Sequence, residues 1–168
     1  SLYADNKNNR LWIGSFSVGF YKYDILQHQL ASFYETEIHP EYSALNLVQD
    51  IVPDATGAVW VATQAGGLFR FSNEKGEERI SSFNMKTGLD ENSFVSLAAN
   101  ADSLLWAMSG KGILTINNHG RFLSPLLNQK SFSFSSFISD VRFPHKLFYD
   151  EQNDELLVAV GGGLLVHR

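Results

Sequence analysis

The chain contains no cysteine. Disulfide staples, Cys-ligated zinc or iron–sulfur centres and a thiol nucleophile are therefore excluded, and a Cys-free chain suits the cytoplasm or a bacterial periplasm. Proline is scarce, at 4 in 168 residues, and charge is low, with 18% Asp, Glu, Lys and Arg. Positive charge is the scarcer sign: 13 Lys and Arg stand against 18 Asp and Glu, a formal net charge of −5. Binding a phosphate backbone needs clustered cations that displace counterions, so nucleic acid is not an expected partner. Long apolar runs are missing too. The longest, Leu156 to Val166, spans 11 residues and is broken by Gly161, Gly162 and Gly163, where a membrane-spanning helix needs about 20. No membrane contact is expected. The start, Ser1 to Asp5, has neither Met nor a basic region followed by an apolar one, which reads as a piece of a longer chain with no visible signal peptide.

Signatures of catalysis and metal binding are equally thin. The five histidines, His28, His39, His119, His145 and His167, include no pair four residues apart. A zinc site of the His-Glu-x-x-His kind is thus absent. There is no Gly-x-Ser-x-Gly elbow, and Gly161-Gly162-Gly163 lies between apolar strand-like segments instead of opening a helix that could cradle phosphate. Asp5 to Asn9 and Asp150 to Asp154 lack the central Gly and the terminal Glu of a calcium loop. No catalytic residue, cofactor or metal is expected.

What the chain does have is apolar and aromatic material: 44% hydrophobic residues, with 13 Phe, 6 Tyr and 3 Trp, and 13 Gly. This is enough for a folded core. Trp12, Trp60 and Trp106 sit in Leu11-Trp12-Ile13-Gly14, Val59-Trp60-Val61-Ala62 and Leu105-Trp106-Ala107-Met108, and Leu156-Leu157-Val158-Ala159 forms a fourth copy with Leu157 in the Trp place. The intervals are 48, 46 and 51 residues. Six or seven residues on, each copy has Gly and an apolar residue: Gly19-Phe20, Gly67-Leu68, Gly112-Ile113 and Gly163-Leu164. An apolar segment lies nine or ten residues upstream, across a turn such as Asp54-Ala55-Thr56-Gly57 whose side chains can bond nearby backbone. Fourth segments follow at Leu30 to Tyr34, Arg79 to Phe83 and Arg121 to Leu123. Four short strands per period of 40 to 50 residues define a β-propeller blade. The expected fold is all-β, with antiparallel four-stranded units at about 1–38, 39–84, 85–130 and 131–168. The last lacks an outermost strand, so the chain reads as three and a half to four blades of a larger propeller. The recurring Trp12, Trp60, Trp106, Leu157, Gly19, Gly67, Gly112 and Gly163 are scaffold positions, the Trp residues packing blade on blade.

The second unit, Asp54-Ala55-Thr56-Gly57-Ala58-Val59-Trp60-Val61-Ala62-Thr63 with Gly66-Gly67-Leu68, and the third, Asn92 to Leu97 with Leu105 to Met108 and Gly110 to Ile113, resemble the two-component regulator propeller repeat. Gly88-Leu89-Asp90-Glu91-Asn92-Ser93 is similar to that family's linker between repeats. The resemblance covers nearly the whole chain, with departures at Leu157, at the third unit's turn, which lacks Gly, and at an insertion over 125–145. It implies the periplasmic sensor region of hybrid two-component proteins common in gut Bacteroidetes, with a histidine kinase elsewhere in the protein. Ligands in that setting are often oligosaccharides.

Ligand-binding residues should differ between equivalent loops, since repeating residues are explained by the scaffold. The turns after the Trp strands and the linkers between units emerge on one face. They offer Phe16, Tyr42, Gln64, Lys86 and Lys111 as the candidate oligosaccharide contacts, with Phe132, Phe134 and Phe137 in the insertion. Other expected partners are the rest of the propeller or another copy of the chain, by self-association. Two rivals to the sensor reading are a propeller scaffold for protein contacts and a propeller-fold polysaccharide lyase or hydrolase, the last needing acid/base groups that converge.

Overall fold

The computed structural model describes residues 1–33, 40–102, 104–117, 133–134, 144–160 and 163–167. Four antiparallel sheets follow one another along it. The first is built from β1 (Leu2–Asp5), β2 (Arg10–Gly14), β3 (Phe20–Asp24) and β4 (Gln29–Ser32). The second holds β5 (Val48–Pro53), β6 (Val59–Thr63), β7 (Leu68–Glu74) and β8 (Glu77–Phe83). The third has β9 (Phe94–Ala99), β10 (Leu104–Ser109) and β11 (Gly112–Asn117), the expected fourth segment at Arg121 to Leu123 lying outside the described residues. In the fourth, β13 (Pro144–Asp150), β14 (Glu155–Val160) and β15 (Gly163–His167) run in order. The place beside β15, left vacant by the sequence reading, is taken by β12 (Ser133–Phe134), which pairs with Val166 and Leu165 and comes from upstream of the sheet it completes. The first strands touch in succession, β1 with β5, β5 with β9 and β9 with β13, so they form a shared inner edge. This is a run of propeller blades.

Each hairpin turn is fastened by its own side chains. Asp54 accepts hydrogen bonds from the amides of Thr56 (2.9 Å) and Ala58 (3.1 Å), the local bonding that makes Asp a turn residue. At the fourth sheet Asn153 Nδ2 and the Gln152 amide donate to Asp150 (2.8 and 2.9 Å), which holds that exposed carboxyl below the usual carboxylate range.

One apolar cluster fills each junction between sheets. Trp12 and Phe20 pack with Ile51, Val59, Val61, Phe69 and Phe71 of the second sheet. Trp60 meets Phe94, Leu97 and Leu105 of the third, and Trp106 meets Leu147, Leu156 and Val158 of the fourth. All three Trp side chains are buried. Trp12 stacks on Phe20 (centroids 5.6 Å apart), Trp60 on Phe83 (5.2 Å) and Trp106 on Tyr149 (5.0 Å), geometry that adds to their area of burial. Leu157 is half-buried on a face with no described sheet beyond it. Phe148, 62% exposed, and Leu164, 44% exposed, share that face, whereas Phe20 and Leu68, which match Leu164 in their own sheets, are fully buried. On the opposite side of the first sheet there is likewise no described sheet, and Leu2 is 64% and Leu30 61% exposed there.

Gly19, Gly67, Gly112 and Gly163 all hold positive φ at the start of a third strand. At Gly67, with φ +84°, a Cβ would lie 2.0 Å from the Phe83 carbonyl oxygen. Its amide also donates to Asn92 O at 2.8 Å, tying the second sheet to the linker that leads into the third. Gly67→Ala is expected to cost at least about 1–3 kcal/mol through backbone strain alone, read as a lowered midpoint in urea unfolding.

Candidate functional site

The first strands of the second, third and fourth sheets share an irregularity. β5, β9 and β13 each carry one extra residue, Gln49, Val95 and His145, opposite their neighbouring strands. Such bulges re-aim the side chains beside them. The residues that follow are Asp50, Ser96 and Lys146, paired with Ala62, Met108 and Ala159, each two residues beyond Trp60, Trp106 or Leu157. Ser1 holds the matching place in the first sheet, exchanging backbone hydrogen bonds with Gly14 (2.8 and 2.9 Å). One repeat position thus carries Ser, Asp, Ser and Lys in turn.

These four side chains meet. The Asp50 carboxylate is 3% exposed and accepts from Ser96 Oγ (2.8 Å), the Leu97 amide (2.8 Å), its neighbour Ile51 N (3.1 Å) and Ser1 Oγ (3.4 Å). Lys146 Nζ reaches past the third sheet to donate to both oxygens, at 2.7 and 2.6 Å. Ser96, fully buried, accepts in turn from the Leu147 amide at 3.0 Å. A buried carboxylate is stable only when paired and hydrogen-bonded, and this one draws its partners from all four sheets. The cluster lies where the linkers enter the inner edge.

The residues expected from the loops are spread over separate turns of that same end. Phe16 is exposed after β2, and Gln64 is exposed after β6 with its amide donating to Leu47 O (3.0 Å). Lys86 is exposed in the short 3-10 turn Met85–Thr87, its amide bonded to Asn84 Oδ1. Lys111 donates through Nζ to Asp90 O at 2.6 Å, so its ammonium fastens the preceding linker. Tyr42 is half-buried, edge-on to Phe69 with centroids 6.2 Å apart, as part of the packing of the first junction. Phe132 and Phe137 lie outside the described residues, and Phe134 forms β12. Sequence reasoning missed Asp50, Ser96 and Lys146. The available signal was Asp50 itself, the one charged residue inside the strand Val48–Pro53.

A second feature lies at the opposite, hairpin end, where a groove of about 140 Å³ between the first two sheets is lined by Asp5, Asn8, Arg10, Trp12, Asn73 and Glu78 among others. In the second sheet Trp60 Nε1 donates to Asp54 Oδ2 (3.0 Å), which also takes Arg70 Nε (3.1 Å). In the first, Asp5 is turned to the amide and Nδ2 of Asn8, and the buried Trp12 Nε1 has no hydrogen-bond partner among the described residues. No group of three or more His, Cys, Asp or Glu among the described residues is placed to share a metal ion.

Successive meander sheets with their first strands at a common inner edge place the chain in the β-propeller class. No family model matches it, and no curated protein does. Solved structures share its fold. Over 98% of its length it is similar, at 18% identity and a TM-score of 0.67, to the extracellular domain of a protein described as a hybrid two component system, BT3049 from B. thetaiotaomicron. The extracellular domain of BT4673 from the same organism, described as a one component system, matches over 98% of the chain at 20% identity and a TM-score of 0.66. The chain covers 21% and 22% of those two structures, about a fifth of each. XC5397, a gluconolactonase from Xanthomonas campestris, matches 88% of the chain and 43% of its own length, at 12% identity and a TM-score of 0.59.

Asp50→Ala strips the acceptor from Ser96 Oγ, Leu97 N and Lys146 at once. A loss of roughly 3–5 kcal/mol is expected, as for other buried pairs broken on one side. Asp50→Asn, which keeps one acceptor oxygen, should lose less. Equilibrium unfolding of both variants checks this, and a loss below about 1 kcal/mol for Asp50→Ala would show that the carboxylate holds nothing together.

Proposed function

We propose that the chain is a non-catalytic, extracytoplasmic sensing segment of a hybrid two-component regulator, which detects a ligand and relays it to a histidine kinase outside this chain. The observation that carries the reading is the Ser1–Asp50–Ser96–Lys146 cluster: a repeating position whose polar side chain varies between Ser, Asp and Lys, set at the end of the inner edge where the linkers and variable turns also emerge. A scaffold alone calls for the same residue type in each repeat. The fold shared with extracellular domains of proteins described as a hybrid two component system and a one component system supports an extracytoplasmic, periplasmic setting, and the resemblance of the repeat supports an oligosaccharide as ligand.

Isothermal titration of the intact sensor region against a glycan panel tests this. Saturable binding without turnover is the expected result. Hydrolysis or elimination of any glycan, or opening of an aldonolactone included because of the shared gluconolactonase fold, would overturn the non-catalytic reading. Silence across the whole panel would overturn the oligosaccharide.

The open faces of the first and fourth sheets carry a further proposal, that they are covered by other blades, either from the rest of the propeller or from another copy. Their residues match positions buried at the three internal junctions, and exposed apolar faces of this kind mark interaction surfaces. The isolated chain should therefore self-associate. Light scattering after gel filtration should give a mass above 18.8 kDa that falls on introducing Leu30→Lys or Phe148→Asp. A well-behaved monomer would count against it.

A further inference from the structure

Lys146 stands apart from the rest of the cluster. Asp50 and Ser96 are 3% and 0% exposed, whereas the Lys146 side chain is 57% exposed. Its ammonium donates to the two Asp50 oxygens, and with three N–H groups it keeps one for a further acceptor. Lys146 is one of several donors to the carboxylate. Without Lys146, Asp50 Oδ2 still accepts from Ser96 Oγ and Leu97 N, and Oδ1 from Ile51 N. The Lys146 end of the pair is in water, so the ammonium can turn to an acceptor there while Ser96, Leu97 and Ile51 keep the buried carboxylate hydrogen-bonded. This change of acceptor has a structural effect, because Lys146 begins the fourth sheet while Asp50 belongs to the second.

We propose that Lys146 is the ligand-contact residue of the sensing segment and a latch between blades. Its ammonium takes an oxygen acceptor of a polyhydroxylated ligand, hydroxyl or carboxylate, and in doing so slackens its tie to Asp50 and frees the fourth blade from the second. Asp50 and Ser96 are positioning residues. The contact role rests on the sensor reading; the latch does not.

Two measurements on the intact protein separate these roles. Hydrogen exchange without ligand should show the amides of Leu147 to Tyr149 exchanging about fivefold faster in Lys146→Met, with β2 and β3 unchanged. Unchanged exchange at Leu147 to Tyr149 would overturn the latch, as would an equal rise throughout the chain. Titration with a neutral and a uronic-acid-containing oligosaccharide panel should show affinity falling about tenfold or more in Lys146→Met and largely kept in Lys146→Arg. Equal binding by wild type and Lys146→Met would overturn the contact role while leaving the sensor reading intact. Failure of the wild type to bind either panel would overturn both of those, with the exchange experiment still deciding the latch.

Discussion

A sheet of three or four short strands with apolar side chains on both faces cannot satisfy itself. Strand alternation sends Trp60 to one face of the second sheet and Val59 and Val61 to the other, and all three are buried, so a neighbour is required on each side. The remaining architecture follows from that double requirement. The Trp face of one sheet meets the Val, Leu and Phe face of the next, and repetition of the contact generates the radial array. Much of the buried apolar surface accordingly lies in the junctions, where each sheet packs on its neighbours.

Packing of this kind is tolerant of detail, since one blade face resembles another. The inner edge supplies what the apolar junctions lack. Ser1, Asp50, Ser96 and Lys146 occupy one structural position with three different side-chain types, and a single carboxylate links them. Hydrogen bonding of that kind is directional and fails if a blade is displaced by one register, so the cluster makes the order of the sheets matter as well as their contact.

The strands were legible because their markers recur: Trp12, Trp60 and Trp106 with Gly19, Gly67 and Gly112 fix the phase of each unit, and no helical period competes with them. Two things were hidden. The outer place of the fourth sheet is filled by Ser133–Phe134, a pairing over more than thirty residues that no local pattern announces. Asp50 was hidden for a different reason. Read in one dimension it is a polar interruption of an apolar strand, and its meaning depends on bulges at Gln49, Val95 and His145 that bring three distant strands to one point. The loop residues were chosen by variability alone, which cannot tell a side chain that is free to meet a ligand from one such as Lys111 that is engaged in holding its own linker.

The upstream origin of β12 bears on how the chain is made. The first two sheets are meanders whose strands emerge in the order in which they pair, so each can close as it leaves the ribosome. The fourth cannot. Ser133 and Phe134 are synthesised first and must wait for Leu165 and Val166, with the whole of β13 and β14 produced in between. During that interval the segment has no strand to pair with, and unpaired strand segments are where a repeat protein is open to pairing with the wrong blade. Among the four described sheets, closure of the fourth is thus the one that must wait for the chain to return to a segment made earlier.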